Sequence, residues 1–299
     1  MLGANVNAAS RRANLREALE GESLLQFPGA FNPLAAKMIE SFGFDGVYVS
    51  GAVMSAELGL PDIGLTTLSE VAGRSGQIAQ MTNLPTIVDA DTGFGEPMNV
   101  ARTIQALEDA GVAGAHIEDQ VNPKRCGHLD GKEVVDVDTA AKRLRAAVAG
   151  RRDDNFLVIA RTDIRAQASV EATIDRGLAL IEAGAEVVFP EALRTLAEFE
   201  QVAAALPVPI LANMTEFGKS ELFSASQLAG AGVRLVIYPV TLLRLAMGAA
   251  HAGLSAIKNE GSQTSVLPQM QTRAELYELL DYAGYNVFDE EIFTYKASE

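Results

Sequence analysis

The chain has 299 residues, 48% of them hydrophobic, which is enough to bury one sizeable core, and α/β barrels of this length commonly fold as a single domain. With 24 Lys and Arg against 39 Asp and Glu, the net charge of -15 repels nucleic acid and anionic lipid, so an anionic ligand needs local arginines or a metal ion. A single cysteine excludes an internal disulfide framework, and three histidines at 116, 128 and 251 argue against a closed zinc site, leaving oxygen ligands for any metal.

The opening MLGANVNAASRRANLREALE has no apolar targeting region, and no later run is long and apolar enough to span a membrane, which predicts a soluble cytoplasmic protein. Eight short apolar or β-branched runs then follow: LLQFPGA (24–30), GVYVSG (46–51), PTIVDAD (85–91), GAHIED (114–119), LVIARTD (157–163), VVFPEA (187–192), PILANM (209–214) and RLVIYPV (234–240). Helical spacing fills most of the gaps, as in PMNVARTIQALEDAG, where Val100, Ile104 and Leu107 share a face and Pro97 suits a first turn. Gly43, Gly111, Gly184 and Gly232 each stand between a helical pattern and the next strand, where a left-handed helix end is needed. Continuous apolar strands alternating with helices predict a parallel sheet covered on both faces, and eight units predict a (β/α)8 TIM barrel. A doubly wound open sheet is the other arrangement, but TGFGEP (92–97) lacks the third glycine of a nucleotide fingerprint. Past the eighth run, TLLRLAMGAAHAGLSAIKNEG, SQTSVLPQM and TRAELYELLDYAG exceed one barrel unit. The chain is therefore read as one barrel domain over 1–299 with a helical extension from about 259, which covers the barrel or reaches a neighbouring subunit.

Barrel enzymes carry their active sites at the C-terminal ends of the strands. Polar residues there are Tyr48 and Ser50, Asp89 and Asp91, Glu118 and Asp119, Arg161 and Asp163, Glu191, and Asn213. Singly, each reads as a solvated or loop-capping residue; together they point to a site. Asp89 and Asp91, two apart on a strand, are expected to face the same side, with Glu118 level with them on the next strand. Three converging carboxylates repel one another unless a hard divalent cation sits among them, which predicts Mg²⁺ or Mn²⁺. Asp62, in the GLPDIG loop, either joins that metal through water or is a simple turn aspartate. The seven lysines avoid the predicted strands, which argues against Schiff-base chemistry and for metal-assisted carbonyl or enolate chemistry.

Gln120 to about Val135 forms a long loop after the fourth strand, the kind that acts as a lid. It holds Cys126. A lone cysteine is most often a small apolar core residue, but Lys124, Arg125 and His128 around this one favour its thiolate, which makes it a candidate proton donor and acceptor.

The stretches KRCGH, VDADTGFG, HIEDQ, ARTD, FPEA and LANMTEFG resemble the isocitrate lyase and phosphoenolpyruvate mutase superfamily, over about residues 11 to 285. KRCGH is specific to the lyase branch, and the compact length with SVLPQMQTRAELYE resembles the branch that cleaves 2-methylisocitrate to pyruvate and succinate in propionate catabolism. The resemblance implies an Mg²⁺-dependent barrel, a homotetramer exchanging its C-terminal helices, and a tricarboxylate substrate. It implies Asp89 and Asp91 as metal ligands, with Glu118 and Asp62 assisting through water. It places Ser50, Gly51, Ala52, Gly127, Arg161, Glu191, Asn213, Met214, Thr215, Arg244 and Arg273 around the substrate, with Tyr48, Glu118, Cys126, His128 and Arg161 in the chemistry. Ala52 stands where a glycine is common, and Val53 and Met54 follow it, which leaves the pocket shape at that loop open. Tyr48, Glu118 and a water on Asp62 all remain candidates for the initial base. Related lyases acting on isocitrate, dimethylmalate or oxaloacetate are the alternatives, and a non-catalytic dicarboxylate sensor is a further one, which would need neither Cys126 nor the acidic cluster.

Overall fold

Each of the eight apolar runs holds a strand, in a computed structural model that describes residues 3–125, 131–218 and 220–296. In chain order the elements are α1 (Ala8–Glu20), β1 (Leu25–Pro28), α2 (Pro33–Ser41), β2 (Val47–Val49), α3 (Gly51–Glu57), α4 (Leu68–Ala79), β3 (Thr86–Asp89) and α5 (Pro97–Asp109). They continue with β4 (Gly114–Glu118), α6 (Val137–Gly150), β5 (Leu157–Thr162), α7 (Val170–Glu182), β6 (Val187–Pro190), α8 (Leu196–Ala205), β7 (Leu211–Asn213), α9 (Ala225–Gly230), β8 (Leu235–Tyr238), α10 (Thr241–Glu260), α11 (Arg273–Leu279) and α12 (Tyr282–Phe293).

Local sequence chemistry explains the boundaries. Asn32 caps α2 ahead of Pro33, Thr67 and Glu70 form a capping box on α4, and Pro97 opens α5. The four glycines expected to end helices all take positive φ, between 76° and 108°. Every strand pair is parallel: β2 to β6 ladder in order, β1 and β7 flank β8, and single bridges at Gly29–Tyr48 and Val188–Ile210 close the ring. The strands thus form the closed barrel that the pattern predicted.

Three apolar layers hold it together. Phe27, Tyr48, Ile87, Leu157, Ile159, Phe189 and Leu235 fill the barrel interior, while two larger clusters pack the outer strand faces against the helices. Burying each large side chain stabilises the fold by about 1.5–3 kcal/mol. Helix α1 closes the end opposite the site: Leu15 enters the interior cluster, and Arg11 donates to the Ala79 and Thr82 carbonyls at 2.8 and 2.7 Å.

The tail behaves differently. Among the residues of α10 only Ala256 is buried, whereas Leu245, Met247, Leu254 and Ile257 are more than half exposed. Beside it an apolar groove of about 400 Å³ runs along Pro28, Met38, Ile39, Phe42, Phe44 and Leu242. No helix of the described residues is long and apolar enough to cross a membrane.

Candidate active site

Strands β2, β3 and β4 bring the first group together. Register pairs Asp89 with His116, and Tyr48 lies one strand away. The Tyr48 hydroxyl is 2.7 Å from His116 Nε2, and His116 Nδ1 is 3.7 Å from Asp89 Oδ1. Burial pushes the His116 imidazole down to about 4, so it is neutral near pH 7. Burial, reinforced by the Asp89 charge, raises the Tyr48 phenol well above its usual value, so Tyr48 keeps its proton in the free protein.

Asp91 reaches its place by a route the sequence did not show. The strand ends at Asp89, and Asp91 lies beyond it with φ of 46°, its N–H donating to Asp89 Oδ1 at 3.0 Å. A tight turn, rather than strand alternation, sets the two acids side by side. The Glu118 N–H anchors that turn by donating to the Asp91 carbonyl at 2.9 Å, so Glu118 is level with Asp91 while His116 is level with Asp89. Both acids converge on Gly51, where a Cβ would stand 2.9 Å from Asp89 Oδ2 and 3.3 Å from Asp91 Oδ1. Burial and the Asp89 charge push Asp91 up to about 6. Lys124 ion-pairs with Asp62 and lies 2.8 Å from Asp91 Oδ1.

Hard oxygen donors crowded around an opening that one methyl would fill, with their charge incompletely offset, fit a divalent cation. Glu118, also raised by burial, has no hydrogen bond to either carboxylate oxygen among the described residues. Among the described residues no three His, Cys, Asp or Glu side chains already stand in metal-ligating geometry, because Glu118 turns toward Arg161 and the Lys124 ammonium lies between Asp62 and Asp91.

Arg161, at the end of β5, forms the cationic side. Its Nη1 is 3.2 Å from Glu118 Oε2, its Nε 3.1 Å from Asp163 Oδ2, its Nη2 3.5 Å from Glu191 Oε2, and its guanidinium lies 5.2 Å from the Phe189 ring centre. Asn213 donates to Glu191 Oε2 at 3.2 Å. A cavity of about 210 Å³ joins the two sides, with Tyr48, Ser50, Asp89, Arg161, Thr215 and Arg244 on its wall. The Ser50 side chain does not cap α3, which leaves its hydroxyl at the cavity wall.

A barrel with buried acids facing arginines at the C-terminal strand ends matches known enzymes in both sequence and shape. The family model described as phosphoenolpyruvate phosphomutase matches residues 15–258. The chain belongs to that family. It is 57% identical to the probable 2-methylisocitrate lyase 2 of Corynebacterium glutamicum, over 98% of this chain and 95% of that protein. It is 44% identical to the 2-methylisocitrate lyase of Aeropyrum pernix, over 93% and 90%. Among solved structures, oxaloacetate acetylhydrolase with 3,3-difluorooxalacetate superposes with TM-score 0.90 at 33% identity, covering 97% of this chain and 99% of that one. A 2,3-dimethylmalate lyase, a member of the PEP mutase/isocitrate lyase superfamily, gives 0.89 at 35% identity over 98% and 99%. Phosphonopyruvate hydrolase, solved with oxalate and Mg²⁺, gives 0.84 at 29% over 94% and 98%.

Within this member of the family, most expected residues meet: Tyr48, Ser50, Ala52, Asp62, Asp89, Arg161, Glu191, Asn213, Thr215 and Arg244 line the cavity, Gly51 and Asp91 stand against Asp89, and Glu118 stands against Arg161. Two do not. Met214 follows Asn213 on β7, so alternation turns it outward into the helix-facing core, where its sulfur accepts the Phe223 N–H at 3.3 Å. Arg273 opens α11, exposed, and α11 packs beside the C-terminal end of α2, away from the cavity of its own chain. Cys126, Gly127 and His128 lie outside the described residues. Lys124, expected beside Cys126, turns its ammonium into the acidic cluster.

Sequence reading set Lys124 beside the thiol rather than among the acids, and passed over His116, Lys132 and the cavity-lining Glu216 as site residues. His116 had a signal: it is two residues from Glu118 on one strand and so faces the same side. The others sit on loops whose paths no periodicity reveals.

Proposed function

We propose that this chain cleaves 2-methylisocitrate to pyruvate and succinate by a retro-aldol reaction, in the cytoplasm and as a homotetramer. The observation that carries this reading is the pairing, across one small cavity, of the acids converging on Gly51 with Arg161 and Arg244 opposite. One side suits a divalent cation and the other suits carboxylates, as a hydroxy-tricarboxylate requires. Relatives that bear the 2-methylisocitrate lyase name at 44–57% identity support the substrate, and the Mg²⁺ in the phosphonopyruvate hydrolase structure supports the metal.

Asp89 and Asp91 would hold Mg²⁺ or Mn²⁺, with Glu118 and Asp62 reaching it through water; when bound it supplies Lewis-acid stabilisation to the substrate hydroxyl and carboxylate. A base takes the hydroxyl proton. Tyr48, which keeps its proton in the free protein, serves as base only by passing that proton to His116 Nε2, 2.7 Å away, as it takes the hydroxyl's, and Glu118, held above the usual carboxylate range by burial, serves only in its ionised form. The oxygen's electron pair then forms the carbonyl of pyruvate as the C–C bond breaks, leaving its electrons on the succinate carbon. Arg161, Asn213 and His128 are assigned to stabilise that charge, and the Cys126 thiol to donate the proton that completes succinate. The exposed apolar face of α10 and the groove beside it support exchange of C-terminal helices between subunits, each copy filling the other's groove.

Metal-stripped protein should release no pyruvate until Mg²⁺ returns. A methyl in an apolar pocket discriminates by about 10–200-fold, so kcat/KM for 2-methylisocitrate should exceed that for isocitrate within that range. Equal or greater use of isocitrate overturns the substrate, and full activity without metal overturns the mechanism.

A further inference from the structure

Lys132 lies on the return limb of the loop after β4, and its ammonium is 2.6 Å from Asp163 Oδ1, both side chains being almost completely buried. Asp163 does two jobs at once. Its carboxylate takes Arg161 side-on, through Nε at 3.1 Å and Nη2 at 3.3 Å, and its own N–H donates to Asp119 Oδ1 at 2.9 Å. That grip fixes the plane of Arg161 and leaves Nη1 toward Glu118 and the cavity. It also carries a problem of charge. Glu118, Asp163 and Glu191 all stand within 3.5 Å of Arg161, and such a ring of carboxylates cancels the field that one guanidinium offers an incoming anion.

We infer that Lys132 is a positioning residue, whose buried ammonium neutralises Asp163 so that Asp163 can hold Arg161 side-on without cancelling the positive charge Arg161 presents to an anionic substrate. Lys132 does not line the cavity, so it acts through Asp163. The return limb brings it there: Val134 bridges Gln120, the Val135 N–H donates to the Asp119 carbonyl at 2.9 Å, and Gln167 donates to the Lys132 carbonyl at 2.7 Å. A pair serving the fold alone would need no arginine on the same carboxylate.

The inference rests on the proposed anionic substrate, so succinate affinity by calorimetry is measured alongside pyruvate release, in Mg²⁺. In Lys132→Met, succinate affinity and kcat/KM should fall by about 10–100-fold, the range for losing a residue that supports a ligand-binding group. Lys132→Arg should restore both to within about threefold. In an Asp163→Asn background the same Lys132→Met change should cost no more than about threefold, because there is no longer a negative charge to neutralise. If Lys132→Met fails to fold, the comparison of Asp163→Asn with the double variant decides, since the double variant buries no unpaired charge. An equal penalty in both backgrounds, or unchanged succinate affinity in folded Lys132→Met, overturns the inference. Failure of the parent enzyme to release pyruvate would instead overturn the proposed reaction, and leaves the succinate comparison standing.

Discussion

Gly51→Ala isolates the metal site from the fold. Gly51 is the first residue of α3 and its φ is not left-handed, so alanine fits the backbone, and helix propensity favours it by up to about 1 kcal/mol. The added methyl meets Asp89 Oδ2 at 2.9 Å, Asp89 Cγ at 3.2 Å and Asp91 Oδ1 at 3.3 Å. Contacts that short push both carboxylates outward by a few tenths of an ångström, while metal sites tolerate about ±0.2 Å and Mg²⁺ demands near-octahedral geometry. Apparent affinity should therefore fall by about 10–100-fold. A 100-fold loss removes about 2.7 kcal/mol of the stabilisation that the parent gains from saturating metal. The assay is a calorimetric titration with Mn²⁺, paired with melting curves with and without metal. Metal-free Gly51→Ala should melt at or slightly above the parent, and its metal-induced shift should shrink as kcat/KM drops. A variant that binds Mn²⁺ as tightly as the parent and turns over normally would refute the placement of the cation beside Gly51.

Tyr48→Phe removes the hydroxyl on His116 Nε2, so kcat should fall by about 10²–10⁴-fold if Tyr48 moves the first proton, with about 1–3 kcal/mol lost in a melt because the buried imidazole nitrogen is left unpaired. A near-normal kcat would hand the base role to Glu118 or to water on Asp62. Asp91 sits at about 6 in the metal-free fold against an ordinary 3.8, so protons compete with metal below pH 6. Apparent Mg²⁺ affinity should drop about tenfold per pH unit there and level off above it. The same raised value means that Asp91's contribution to metal-free stability is present in full below its ordinary value and is lost as pH rises through 6, so the metal-induced melting shift should grow over that window. Cys126→Ser should lower kcat and the proton exchange of succinate methylene hydrogens together, with little change in substrate affinity; unchanged exchange would assign the proton to another residue.

The barrel was legible because its physics repeats. Buried parallel strands must be apolar along their whole length and helices between them must be apolar on one face, so eight runs and four helix-ending glycines announced the topology before any contact was known. The strand-end polar residues were legible for the same reason: where the apolar run stops, the barrel mouth begins. Legibility failed where the backbone leaves the repeat. Asp91 beside Asp89 depends on one left-handed residue, and nothing in VDADTG distinguishes that turn from two more strand positions. Met214 was a different failure, since alternation from Asn213 already turned it outward, but a motif taken whole carried it into the pocket. Lys124 and Lys132 reach Asp91 and Asp163 across 33 and 31 residues of sequence, and only the folded loop supplies that proximity.

Arg273 and the tail show a limit of another kind. Periodicity announces that α10 has apolar residues to bury, and the groove along Pro28, Met38 and Phe44 has apolar surface to offer. It cannot say whether the helix that fills a groove belongs to the same copy, because two identical chains present identical side chains and the hydrophobic driving force is blind to connectivity. What separates the two outcomes is the short path from β8 into α10, set by Pro239 and Val240 before the first turn. That path here leaves Leu245, Met247, Leu254 and Ile257 exposed, the face that a second copy would cover in the proposed tetramer. Arg273 follows the same logic: thirteen residues beyond the end of α10, it lies wherever that helix docks, and its distance from the cavity of its own chain says nothing about the cavity of a partner.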